Sequence, residues 1–205
     1  MTELERDLVR PPAAKLDADQ LMRRLGPRAG AAGLVDVAYA SMDTPVGELL
    51  VAVTPRGLVR VSFASEVAEQ VLAELAERVS PRVLRLPRRT DEARRELDEY
   101  FAGSRQRFDL PLDWTLVRGF AQGVLRATAR VPFGQITTYR QMAEAAGSPR
   151  ASRAAGNALG SNPIPIVVPC HRVLHTGGGL GGYAGGLDRK KLLLALEGVL
   201  ATEDR

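Results

Sequence analysis

The chain is poor in reactive side chains: one cysteine, Cys170, and two histidines, His171 and His175, in 205 residues. A single thiol excludes an intramolecular disulfide framework, and so few soft ligands fall short of the usual four-ligand zinc finger. No metal and no other cofactor is therefore expected. Aromatic residues make up only 5% of the chain. No run approaches the ~18 consecutive apolar residues of a membrane span. The opening, Met1 to Arg10, mixes acids, bases and leucines and does not read as a signal peptide. The expectation is a cytoplasmic protein without membrane contact, nucleoid-associated if bacterial. What is present is globular in composition, 45% hydrophobic and 25% charged, which excludes disordered and collagen-like chains. The length suits one generous core or two small ones.

Charge is unevenly distributed. Between Trp114 and His175 stand seven arginines, no lysine and one acid, Glu144, so this segment carries +6 while the rest of the chain is acidic on balance. A localised basic excess suits a polyanion-binding surface, although a solvated helical face would look the same.

The fold class expected is α+β. Residues 1–34 read as a partly mobile extension with a short helix over Asp17–Leu25 and a breaker-rich run from Gly26 to Gly33. Residues 35–113 read as a small α/β domain. Val35 to Phe63 has strand periodicity interrupted by Pro45-Val46-Gly47 and Thr54-Pro55-Arg56-Gly57, which predicts an antiparallel meander. Val67, Val71, Leu72 and Leu75 then share one helical face. Ala93, Leu97, Tyr100 and Phe101 share another after a cap at Thr90 or Asp91, with a short strand near Val83–Leu86 between them.

Residues 114–205 read as a mainly helical, winged-helix-like domain. Thr115 is placed to cap a helix striped by Val117, Phe120, Val124 and Leu125. Thr138 is placed to cap a second through Ala146, and Ser148-Pro149 to start a third that runs to Leu159. The last two form a helix-turn-helix outline, which structural proteins also use. The third helix is smooth: Ala151, Ala154, Ala155, Gly156, Ala158 and Gly160 leave Arg153 as its main protrusion, with Arg150 at its start. Small residues permit close approach to a narrow groove, where one Arg could fill a gap in a base stack; they would equally pack a neighbouring helix.

Cys170 follows the apolar run Ile166-Val167-Val168 and Pro169, and precedes His171. A lone cysteine in such a place is commonly inert, and a nucleophilic one needs a base or a positive neighbour. His171 is the nearest candidate. Adjacent side chains of an extended segment face apart, so contact requires a turn or an intervening water. Glu197, in the final turns of a helix over about Asp188–Leu200, opposes the helix dipole there. It is either solvated or compensated by a partner such as the imidazole.

These residues form a pattern. Asn162-Pro163, Pro165, Pro169-Cys170-His171-Arg172-Val173, Tyr183-Ala184-Gly185-Gly186-Leu187, Leu193-Leu194 and Glu197-Gly198 resemble the methylated-DNA-protein-cysteine methyltransferases. Val131-Pro132-Phe133-Gly134, Tyr139, Arg153 and Gly156 extend the resemblance over about Phe120 to Gly198. It implies a DNA repair protein that extrudes O6-alkylguanine from duplex DNA and transfers the alkyl group irreversibly to Cys170. It implies that His171 activates the thiol through a water, with Glu197 beyond the imidazole, and that Asn162 holds the active-site turn. Tyr139 would rotate the nucleotide and donate to the guanine ring. Arg153 would fill the vacated stack, with Arg150, Ala151, Ser152, Ala154 and Gly156 beside it on the DNA. The carbonyls of Cys170 and Val173, the loop at Tyr183 and Ala184, and Leu159 would receive the base. Ala184 lacks the hydroxyl that some relatives carry there.

Extrusion must precede attack, because a duplex conceals the reactive carbon. Binding should rest on phosphate contacts and depend on salt. The partner expected is double-stranded DNA, bound by a monomer with no obligate protein partner. The competing classes are a non-catalytic damage-sensing DNA-binding protein, which does not need Cys170, and a cysteine hydrolase built on Cys170, His171 and Glu197, which needs an oxyanion hole.

Overall fold

The computed structural model describes residues 26, 28–30 and 32–200. The expectations for residues 1–25 lie outside these, whereas residues 26 and 28–30, read as breakers, are helical. Strands β1 (Val37–Met42), β2 (Leu49–Thr54) and β3 (Gly57–Phe63) form the expected antiparallel meander. The sheet is nevertheless mixed, because β4 (Val83–Arg85) joins the free edge of β1 in parallel, giving the order β3-β2-β1-β4. A helix between β3 and β4 supplies the crossover that a parallel pairing requires. The β2–β3 turn depends on Gly57, at φ 131°, whose absent side chain lets Leu58 N reach Pro111 O at 2.8 Å. A Cβ there would sit 2.1 Å from that carbonyl oxygen.

That crossover helix, α1 (Ala68–Arg78), buries Val71 and Leu75 against the sheet, while Val67 stays extended and exposed just before it. Helix α2 (Asp91–Phe101) buries Ala93, Leu97 and Tyr100, on the face that the spacing indicated. Thr90 precedes it without capping it, since its hydroxyl donates to Pro87 O.

In the second half α3 (Gly119–Thr128) starts three residues later than a cap at Thr115 would place it. Thr115 instead donates its N–H and hydroxyl to Asp113 Oδ1, at 3.0 and 2.6 Å, and closes the junction between the halves. Helix α4 (Tyr139–Ala145) is capped as read: Thr138 Oγ1 accepts from Gln141 N, and Gln141 Oε1 accepts from Thr138 N. Gly147, at φ 81°, ends it. Ser148-Pro149 does not start α5 (Ser152–Gly160). Ala151 N bonds Ser148 O at 2.9 Å, so Ser and Pro occupy the first two places of a tight turn, which their chemistry favours equally. Helices α4 and α5 form the helix-turn-helix. A two-residue parallel pair, β5 (Thr137–Thr138) with β6 (Val173–Leu174), ties its entry to the segment after Cys170. Helix α6 (Leu187–Leu196) closes the fold, ending earlier than Leu200, with Glu197 at its C-cap.

One apolar cluster runs through both halves, from Val37 and Leu49 in the sheet to Ala155, Val168 and Leu193. Val61 N donates to Pro163 O at 2.8 Å, so the sheet edge braces the segment that leads to Cys170.

Candidate active site

The segment before the cysteine is tightly wound. Ile166 has φ 73°, a conformation a β-branched residue adopts only under constraint, and it is fully buried. Bonds from Val167 N to Pro165 O and from Val168 N to Ile164 O hold it there. Asn162 stitches the same loop. Its Oδ1 accepts from Ile164 N at 3.0 Å, and its Nδ2 donates to Val168 O at 2.8 Å and to Cys170 Sγ at 3.2 Å. Cys170, His171 and Arg172 then form a single 3₁₀ turn, which replaces the extended geometry in which neighbouring side chains face apart.

Behind that turn lies a buried ionic cluster. Glu197 Oε1 faces His171 Nε2 at 2.9 Å, and accepts from Arg172 Nη2 at 2.8 Å and from the Tyr100 hydroxyl at 2.7 Å. Its Oε2 accepts from Arg172 Nε at 2.8 Å and from Gly134 N at 3.3 Å. Burial alone would raise this carboxyl, but hydrogen bonds and charge from His171 and Arg172 prevail and bring it down to about 2. An ionised carboxylate only accepts, so Nε2 carries the imidazole proton and Nδ1 is the basic nitrogen. Nδ1 is buried and has no hydrogen-bond partner among the described residues. Burial lowers the His171 pKa and raises that of the Cys170 thiol, so the resting pair is neutral imidazole and thiol.

Lys190 is a second buried cation, with Nζ donating to Val173 O at 2.8 Å and to Leu180 O. Burial pulls its pKa down to about 8, while the charge of a Cys170 thiolate would support the ammonium. A carbonyl oxygen has two lone pairs, so Val173 O can still accept from a ligand.

In front of the turn, Cys170 lies at an open cavity of about 650 Å³. Tyr139, Ser152, Arg153, Gly156 and Leu159 line one part of it, and Tyr183 and Ala184 another. Helix α5 divides its faces accordingly: Ala155, Ala158 and Leu159 are buried, while Arg153 and Ala154 are exposed. Tyr139 is half-buried and closely fitted. A Cβ on Gly156 would lie 3.8 Å from its ring and one on Gly181 would lie 2.4 Å from its hydroxyl. Arg150 and Ala151 lie apart, at a shallow depression with Ser148 and Pro149. The Val173 side chain is buried in β6, and Asn162, His171 and Glu197 stand behind the cavity wall.

Comparison with known proteins agrees with this geometry. Residues 119–199 match the family described as 6-O-methylguanine DNA methyltransferase, DNA binding domain, and residues 37–114 match its ribonuclease-like domain. The methylated-DNA–protein-cysteine methyltransferase of Mycolicibacterium paratuberculosis is 40% identical over 163 residues, 78% of this chain and 92% of that protein. The chain belongs to this methyltransferase family. The Methanosarcina barkeri methyltransferase is 38% identical over 162 residues, covering 78% of this chain and 96% of its own. Among solved structures, Mycobacterium tuberculosis OGT in complex with DNA superposes with a TM-score of 0.67 at 36% identity, over 78% of this chain and 92% of that one.

For a methyltransferase of this family, several members of the site around Cys170 and Glu197 went unread in the sequence. Arg172 was noted only as part of the motif, yet it is the main ionic partner of Glu197. Tyr100 reaches the site from α2, and Lys190 is hidden in a run of four charged residues at the start of α6. Asn157 is exposed and lines the cavity one turn beyond Arg153, so the helix is less smooth than its alanines suggest. No spacing rule points to Tyr100. Lys190 had a signal, its place on the apolar face that carries Leu193, Leu194 and Glu197.

Proposed function

We propose that the chain repairs DNA by accepting the alkyl group of an extruded O6-alkylguanine on Cys170, once per molecule. The lesion enters the cavity lined by Tyr139, Leu159, Tyr183 and Ala184, and Arg153 takes its place in the base stack. The thiol proton passes through a water to His171 Nδ1, and Glu197 stabilises the imidazolium as it forms. Sulfur then bonds the alkyl carbon as its bond to O6 breaks, and a hydrogen bond from Tyr139 to the guanine ring eases departure of the base. The Asn162 amide donates to sulfur and favours the thiolate. The product is a thioether, which does not revert to thiol under these conditions.

The observation that carries this reading is the position of Cys170. It is withdrawn from bulk water yet lines an open cavity, and the next residue, His171, holds a basic nitrogen without a partner among the described residues and faces an ionised carboxylate with the other. The family resemblance supports the same chemistry, and the arginine-rich segment supports duplex DNA as the partner. Absence of any helix long and apolar enough to cross a membrane among the described residues is compatible with action in the cytoplasm.

The test is intact-mass measurement after incubation with a duplex containing O6-methylguanine. One methyl group on Cys170 per molecule is expected, and Cys170→Ser should gain none while still binding the duplex. Binding without any mass gain in the wild type would make the protein a damage sensor instead.

A further inference from the structure

The second histidine has no part in the mechanism above, yet it is built into the same cavity. His175 opens a tight glycine turn in which its N–H donates to Gly179 O at 2.9 Å and its carbonyl accepts from Gly178 N at 2.9 Å. That turn holds the imidazole in place. Its centroid lies 5.0 Å from the Tyr139 ring at a tilt of 45°, and a Cβ on Gly179 would meet its Cδ2 at 3.7 Å. The side chain is exposed and lines the cavity with Ser152 and Arg153, and the cavity lining includes no Asp or Glu.

Guanidinium, imidazole and hydroxyl are all donors, so an unopposed group of them favours an anionic oxygen. When a nucleotide swings out about its backbone, the base goes in to the thiol and the flanking phosphodiester stays at the entrance. Resting on the function proposed above, we propose that His175 is a positioning residue that hydrogen-bonds the phosphodiester beside the extruded nucleotide and holds it in the extruded state. The imidazole thereby donates to the phosphate oxygen at the entrance, and its contact with Tyr139 couples that hold to the ring that lines the cavity.

Three variants of the full chain test this: His175→Ala, His175→Phe, which keeps a ring against Tyr139 but no donor, and His175→Lys, which supplies an N–H donor without the ring. Single-turnover methylation of Cys170 is followed by intact mass with duplex O6-methylguanine and with the free base. His175→Ala and His175→Phe should slow the duplex reaction about tenfold more than the free-base reaction, and His175→Lys should stay within about threefold of wild type. Equal losses on both substrates, or a His175→Phe rate equal to wild type, would reduce the residue to ring packing and overturn the inference. A wild type that gains no methyl from either substrate would overturn the function itself. Binding in the Cys170→Ser background separates the two failures. There His175→Ala should weaken affinity for the lesion duplex several-fold more than for an undamaged duplex, and an equal effect on both counts against phosphate capture.

Discussion

Two of the buried carboxylates, Asp113 in the first half of the molecule and Glu197 in the second, separate scaffold from chemistry. Asp113 accepts from Thr54 Oγ1 at 2.6 Å, Arg56 Nε at 3.1 Å and the N–H and hydroxyl of Thr115. All of these partners are local to the β2–β3 turn and the junction. Glu197 faces four residues of three separate segments, and one of them, His171, adjoins the only cysteine. Both side chains are held below the ordinary carboxylate range by hydrogen bonds that outweigh their burial. Burial and depressed pKa therefore do not by themselves mark a functional group. What distinguishes Glu197 is a partner with a basic nitrogen left over, beside a nucleophile that faces a cavity.

The sharpest way to break this contrast is to neutralise each carboxylate in turn. Glu197→Gln leaves the Arg172 guanidinium buried without its counter-charge, which costs about 3–5 kcal/mol of stability, and it removes the group that orients His171. Transfer to Cys170 should slow by roughly a hundredfold or more. Asp113→Asn should cost about 1–2 kcal/mol and leave transfer within about twofold. Urea unfolding and single-turnover mass measurements read both quantities. The pH dependence follows the same division. The Glu197 pKa is depressed from 4.5 to about 2, so its stabilisation is complete above 4.5 and is lost as pH falls toward 2. Glu197→Gln should flatten acid unfolding in that window. Equal loss of transfer in the two variants would erase the distinction.

Lys190 sharpens the comparison from the cationic side, with a smaller effect. Its folded pKa of about 8 lies below the ordinary 10.5, so the unfolded chain binds more protons between those values, and stability should rise as pH rises through that interval. Lys190→Met should abolish the rise. It should also slow transfer about tenfold, because the thiolate loses a neighbouring positive charge. A variant that keeps wild-type transfer while losing the alkaline rise would confine Lys190 to holding Val173 and Leu180.

How much of this was legible depended on whether the signal was local. The meander, the α2 face and the Thr138 cap are written in short-range periodicity and turn chemistry, and they were read correctly; the return bond from Gln141 that completes the capping box was not read. Ser148-Pro149 and Thr115 were misread because a residue that caps a helix also closes a turn, and only tertiary partners decide between the two. The parallel β4 was read as a strand but not as parallel, since pairing direction depends on the path of α1. The placement of Asn162, His171 and Glu197 near Cys170 came through a family pattern. Spacing alone left Glu197 open. Tyr100 was read as a core aromatic, which its ring is, and nothing in the sequence reports where its hydroxyl points.

That hydroxyl gives the finest test of the division between halves. Tyr100 belongs to α2, and its ring packs with Phe101, Phe108 and Phe133 at centroid separations of 5.3, 5.3 and 6.1 Å. Its oxygen nonetheless donates to the same Glu197 Oε1 that faces His171. Tyr100→Phe keeps the ring contacts and deletes one donor from a carboxylate that retains Arg172, His171 and Gly134. The cost should be about 1 kcal/mol of stability, with a two- to fivefold slower transfer, because Glu197 holds a proton slightly more readily and orients the imidazole less firmly. An unchanged transfer rate would make the first half a scaffold alone. A loss as large as that of Glu197→Gln would mean that the first half supplies a working member of the catalytic cluster, and that the boundary between structure and chemistry runs through α2 instead of between the domains.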